Sequence, residues 1–185
     1  NMTVAVMPED PREAQALLTD PRTFDASAQK VGGVRLLLRP QEEPIVVGEP
    51  FFIDVILDNR AFSVLDGVGV KITFDSSIIE VLDADYNNWI TLGTNIHDGP
   101  YRDSFPWNFH IENTVYNTRG FISYRAGTDD TDMTRGKIGT IARIYAVAKR
   151  PTMATKLTFR FDENPRAKAT EATFMGINAL GDPKV

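Results

Sequence analysis

Few residues in this chain could carry acid–base, nucleophilic or metal chemistry, and their spacing fits none of the familiar arrangements. Only two histidines are present, His97 and His110, and there is no cysteine. No His-Glu-x-x-His stretch pairs histidines on one helix face, and no Gly-x-Ser-x-Gly elbow presents a serine nucleophile. The lack of cysteine excludes disulfides and thiolate metal sites. The nearest approach to a metal loop is "GTDDTDMTRG", which sets Asp129, Asp130 and Asp132 close together. Calcium takes several oxygen ligands, so this acidic loop is a candidate calcium site. It lacks a glycine and a closing glutamate at EF-hand spacing, and acidic loops between strands are usually just solvated. Asp83 and Asp85 form a carboxylate pair, but acid–base work depends on a separation that spacing along the chain does not supply. The expectation is a non-enzyme without a cofactor, calcium being the one ion its residues could take.

Binding chemistry has more material. Tyr86, Trp89, Tyr101, Phe105, Trp107 and Phe109 crowd into one segment. Exposed rings in a plane stack against sugars, so Trp89 and Tyr101 are candidates for polysaccharide binding. A long connection also needs buried anchors, and Trp107 and Phe109, which alternate, read as core. A net charge of −5 with scattered basic residues argues against nucleic acid, which needs a basic stripe. No apolar run approaches the ~20 residues of a membrane-spanning helix, so membrane insertion is not expected.

The elements that must position these residues are strands. From Val34 onward the apolar period is two: "VRLLLRP", then "PFFIDVILDN" with Phe51, Ile53, Val55 and Leu57 on one face. "GVGVKITFD" follows with Val68, Val70, Ile72 and Phe74 inward, then "IIEVLDADY", "GFISYRAG", "GTIARIYAVAKR", "TKLTFRFD" and a last strand near "EATFMGINAL". Short strands bounded by Gly, Pro, Asn and Asp predict an all-β antiparallel jelly-roll sandwich of about nine strands. Residues 1–30 read as a separate N-terminal arm carrying one short helix in "EDPREAQALL". Asp10 caps that helix, Pro11 suits its first turn and Glu13 completes a capping box. Residues 31–185 form the sandwich domain.

The order of these motifs resembles the cohesin domains of cellulosomal scaffold proteins. The resemblance is carried by "VVGEPFFIDVILDN", "GVGVKITFDSSIIEVLDAD", "GFISYRAG", "GKIGTIARIYAVAKR" and "GINALGDPKV", from about Val34 to Val185. It implies a nine-stranded jelly roll on an extracellular or cell-envelope protein that binds another protein, typically a calcium-carrying dockerin, without catalysis. Two departures stand out. Cellulosomal type I cohesins commonly place Asn and Asp on the outward positions of the strand ending in Phe-Asp, where Gly67 and Gly69 stand here. Residues 93–106 also make the following connection longer than that family needs, and long loops often carry function.

Strand alternation selects the candidate partner-binding face. With Val68 to Phe74 inward, Lys71 and Thr73 point outward, as do Phe121, Ser123 and Arg125 on the later strand; a one-residue slip would invert the set. Gly67 and Gly69 would leave a flat patch free of side chains, where a partner backbone could approach or the N-terminal arm could lie. On "PFFIDVILDN" the outward Phe52 and Ile56 flank Asp54, and Leu17 and Leu18 of the arm could pack there. A sheet face docking a protein partner is the leading expectation. Sugar binding and a purely structural envelope domain are the alternatives.

Overall fold

The computed structural model describes residues 2–7, 34–60, 62–85, 92–99, 104–105, 107–161, 170–175, 177–178 and 180. Among these residues thirteen strands, β1 to β13, pair into two sheets, and nine of them are four residues or longer. The helix expected in residues 9–18, with Leu17 and Leu18, lies outside the described residues.

The smaller sheet is built on β4 (Pro50–Asp58) and β10 (Ile138–Ala148), flanked by β2 (Arg35–Pro40) on one side and by β6 (Ile79–Val81) and β7 (His97–Asp98) on the other. The larger sheet is centred on β5 (Gly67–Phe74). Gly67 to Thr73 pair with β9 (Phe121–Gly127), which pairs in turn with β8 (Phe109–Tyr116). The opposite edge of β5 is shared: Ile72 to Phe74 pair with β11 (Thr152–Phe159), and Gly67 to Gly69 with β12 (Glu171–Phe174). Beyond these lie β13 (Ile177–Asn178), β1 (Met2–Met7) and β3 (Ile45–Val46). The two sheets face each other as an antiparallel sandwich, as the period-two pattern predicted. β1 runs parallel to β3.

The inward faces are the apolar positions expected. Phe51, Ile53, Val55 and Leu57 of β4, and Val68, Val70, Ile72 and Phe74 of β5, are all buried. Large and small side chains alternate across strands so that the layers fit. Phe51 lies opposite Ala146, and Val68 sits between Ala126 and Ala172. Such pairings fill space without strain.

A bulge between Thr140 and Ala142 adds Ile141 to β10. Ile141 is buried, and its carbonyl accepts the Tyr124 hydroxyl from the facing sheet at 3.1 Å. The bulge therefore satisfies the one polar atom of a fully buried tyrosine.

Two elements differ from the sequence expectation. Residues 2–7, assigned there to an arm, form β1 and add a strand to the larger sheet against β11. Phe109 was expected in the core but is 45% exposed. It lies opposite Gly127, and its ring rests where a Gly127 side chain would stand, 2.5 Å from the Cβ position. The bulge at Ile111 shifts the register of β8 by one and turns Phe109 to the outer face, where Gly127 leaves its ring a seat.

Candidate functional site

The outer face of the larger sheet consists of cross-strand rows set by register. One row runs Tyr116, Phe121, Thr73, Thr158; the next runs Thr114, Ser123, Lys71; the third runs Glu112, Arg125, Gly69, Glu171; the last runs Phe109, Gly127, Gly67, Thr173. All five expected partner-binding residues, Lys71, Thr73, Phe121, Ser123 and Arg125, therefore share this face, in three adjacent rows.

Their availability differs sharply. Lys71 is 8% exposed. Its Nζ donates to Ser123 Oγ and to Glu112 Oε2, the latter at 3.2 Å, and lies 5.7 Å from the centre of the Phe121 ring. The Lys71 backbone is held as well, because Thr170 Oγ1 accepts its N–H and donates to its carbonyl. Arg125 reaches across Gly69 to Glu171, with Nη2 to Oε1 at 2.5 Å.

The glycines thus do not leave a bare patch. Gly69 lies between Arg125 and Glu171 in register, and their side chains pair across it. Gly67 faces Thr173, whose Oγ1 would lie 3.0 Å from a Cβ there. The middle of the face is a set of ion pairs whose charges already cancel, so Lys71 and Arg125 are structural members of the face before they are contacts for a partner.

The open part of the face is at the β8–β9 turn. Gly120, with φ of 62°, closes the 3-10 turn Asn117–Arg119 and brings Tyr116 beside Phe121, ring centres 6.2 Å apart and nearly parallel. Thr73, Tyr116, Arg119, Phe121 and Arg160 line a depression of about 440 Å3 there. Arg119 lies over the Tyr116 ring at 5.7 Å. Sequence reasoning missed Tyr116, Glu112, Arg119, Arg160 and Glu171. Tyr116 could have been found by counting back through the "NTRG" turn, but Arg160 and Glu171 depend on pairings with distant strands.

The hairpin carrying this face is bolted to the other sheet by two asparagines. The Asn117 side chain accepts the Val81 N–H at 2.8 Å and donates to the Val81 carbonyl at 2.9 Å. Asn113 does the same with Ile96, at 2.9 and 2.7 Å. Each amide side chain stands in for a strand backbone, so residues 113 and 117 fix β8 against the edge of the smaller sheet.

The remaining candidates are placed as follows. Asp129 accepts from Asn108 at 2.5 Å and Asp132 pairs with Arg135 at 3.5 Å. Among the described residues no three metal-ligating side chains converge. Asp83 is used locally, its Oδ1 accepting the N–H groups of Asp85 and Asn95. Trp89 and Tyr101 lie outside the described residues. Phe105 is buried and stacks on Trp107 at 5.5 Å, which makes both anchors for the long connection.

The histidines sit at the sheet junction. His110 on β8 meets Asp98 on β7 at 3.1 Å, tying one sheet to the other. Burial pushes the Asp98 carboxyl above the ordinary carboxylate range, against the opposing pull of His110. Burial also pushes the His97 imidazole down, with its ring 4.8 Å from that of Tyr145.

On the outer face of the smaller sheet, Asp54 is 2% exposed and gripped by Arg143 at 2.6 and 3.0 Å and by Arg39 at 3.3 Å. Phe52 completes that cluster under the Arg143 guanidinium at 4.0 Å. Ile56, though on the outward side of β4, is buried.

Fold and face together define an antiparallel sandwich module with one broad, ridged sheet face. No protein-family model matches the chain, and no curated protein matches it in sequence. Solved structures do. The chain is similar to a type II cohesin domain from the cellulosome of Acetivibrio cellulolyticus, at 12% identity, TM-score 0.54, over 73% of this chain and 78% of that one. It is similar to a type II cohesin–X–dockerin complex from the same organism, at 14% identity, TM-score 0.53, over 70% and 79%. A third likeness is to type II cohesin A11 from Bacteroides cellulosolvens, at 11% identity, TM-score 0.50, over 72% and 80%. The chain has the cohesin-like jelly-roll fold. Among the described residues no helix is long and apolar enough to cross a membrane.

Proposed function

We propose that this chain is a non-catalytic docking module of the cohesin kind, acting outside the cytoplasm on a secreted or envelope protein. Its partner is a protein, dockerin-like in bringing its own calcium, laid along the outer face of the larger sheet. One observation carries the reading. Lys71, Thr73, Phe121, Ser123 and Arg125 share one face beside an aromatic row, Tyr116 and Phe121, that is open to solvent. The likeness of the fold to a cohesin found in complex with a dockerin supports the choice of partner class.

The mechanism is burial of a ridged surface. Tyr116, Phe121 and the Phe109 ring supply apolar area, and aromatic anchors of this kind dominate docking energies. The internal ion pairs keep the centre of the face flat and rigid, so little ordering is needed on association.

The test uses the chain as bait for secreted and envelope fractions of its source, with and without a calcium chelator. The expected result is a protein retained by the wild-type chain and by Glu80→Lys on the opposite sheet, and released by Phe121→Asp. Retention by both variants alike would overturn the choice of face. Retention of polysaccharide with no protein would overturn the docking reading in favour of a sugar-binding one.

A further inference from the structure

The centre of the docking face has no charge to offer. Lys71 is held by Glu112 and Arg125 by Glu171, so a partner approaching those positions meets neutral pairs. The depression at the β8–β9 turn is different. Arg119 and Arg160, two rings, Tyr116 and Phe121, and Thr73 line it, and among the described residues no carboxylate is among its walls; Arg160 is already engaged, so Arg119 is the guanidinium the depression offers. Arg119 is exposed, and among the described residues it makes no ion pair; its guanidinium lies over the Tyr116 ring. This basic spot sits on a chain whose formal net charge is −5.

We propose that this depression is the seat for a carboxylate side chain of the docking partner, an aspartate or glutamate standing next to an apolar residue. The inference rests on the docking reading and adds the chemistry of the contact. A guanidinium presents a planar fork of donors that matches the two oxygens of a carboxylate. Ring walls lower the local polarity and strengthen that bond relative to open water. The neighbouring apolar residue covers Tyr116 and Phe121, whose exposed faces a lone anion would leave wet. A local positive field on an acidic surface also orients an acidic partner toward this end of the face. Docking then has a polarity: the acidic residue enters at the β8–β9 turn, and the rest of the partner runs toward Phe109 and Gly67.

The experiment is a titration of the full, 15N-labelled chain, followed through its amide and arginine side-chain resonances. The probes are two blocked dipeptides, acetyl-Glu-Leu-amide and acetyl-Gln-Leu-amide, and inorganic phosphate. The Glu peptide is expected to shift Thr73, Tyr116, Phe121 and the Arg119 side chain, and the Gln peptide to bind more weakly. Arg119→Gln should weaken the Glu peptide by about two- to fivefold, the range of an exposed ion pair. Equal response to both peptides, no localised response to the Glu peptide, or an unchanged affinity in Arg119→Gln would overturn the assignment. Phosphate binding as tightly as the Glu peptide would also overturn it, leaving a plain anion site. The docking reading fails separately. A protein partner lost with Phe121→Asp but held equally by Arg119→Gln and wild type leaves docking standing and removes the carboxylate seat.

Discussion

Replacing Gly120 by alanine tests the turn that shapes the open end of the face. Gly120 has φ of 62°, and an added Cβ would lie 2.0 Å from the Phe74 carbonyl oxygen and 3.1 Å from its carbon. The obstacle is backbone, with no flexible side-chain end to swing away. Gly120 cannot drift either, because its own carbonyl accepts the Phe74 N–H at 2.8 Å. The left-handed conformation costs an alanine ~1–2 kcal/mol. Relieving the overlap adds ~1–3 kcal/mol of packing strain and weakens a hydrogen bond worth ~1 kcal/mol. The expected loss is about 3–6 kcal/mol, a large share of the ~5–15 kcal/mol that holds an ordinary domain folded.

Gly93 supplies the control. Its φ is 86° and nothing lies within 4 Å of the Cβ position, so Gly93→Ala carries only the conformational cost of ~1–2 kcal/mol. Gly120→Asn separates the two terms further, since asparagine tolerates the left-handed region but still carries the offending Cβ. Urea unfolding followed by circular dichroism measures all three against wild type, at unchanged slope. Gly120→Ala and Gly120→Asn should both fall well below Gly93→Ala. Equal losses at Gly120 and Gly93, within ~0.5 kcal/mol, would refute the close approach of β5 to the turn.

Asn117→Ala should cost about 2–4 kcal/mol, because it strips partners from a buried N–H and carbonyl at Val81; hydrogen exchange at the Val81 amide should quicken in step. Asp54→Ala leaves Arg143 partly buried without its carboxylate and should cost about 3 kcal/mol or more, read as a lower midpoint in urea. The pH dependence has a defined sign. His97 holds its proton less tightly when folded than the ordinary 6.5, so the stability it contributes is complete above that value and is lost as pH falls through it. Thermal midpoints between pH 7.5 and 5 should therefore decline, and His97→Gln should flatten that decline. Asp58, held down by its hydrogen bonds to Arg60, adds a second loss that begins only below its ordinary 3.8. Asp98, raised by burial, runs the other way and softens the fall at acid pH, so an unaltered slope in His97→Gln would mean that another group governs it.

What could be read in the chain was local. Alternation in "PFFIDVILD" and "GVGVKITF" is a property of neighbours two residues apart, and a sheet has only two faces, so period two alone assigned the core and the outward set Lys71, Thr73, Phe121, Ser123 and Arg125. The order of the strand motifs pointed to a cohesin-like jelly roll for the same reason: each motif is a strand with its own bounding turn.

What each outward side chain meets was a tertiary matter. Glu112 and Lys71 are forty-one residues apart, and Arg125 and Glu171 forty-six. Nothing in their spacing says that a bulge at Ile111 sets Glu112 opposite Arg125, or that Gly69 lies between Arg125 and Glu171. The same holds for Phe109, which alternation placed inside and the bulge at Ile111 turns outside, onto Gly127. Arg160 joins Arg119 only because β11 and β9 flank the same strand, β5. Side-chain direction is set by the backbone of the residue itself. Side-chain partnership is set by which distant strand lies alongside, and at what register, and only the folded sandwich determines that.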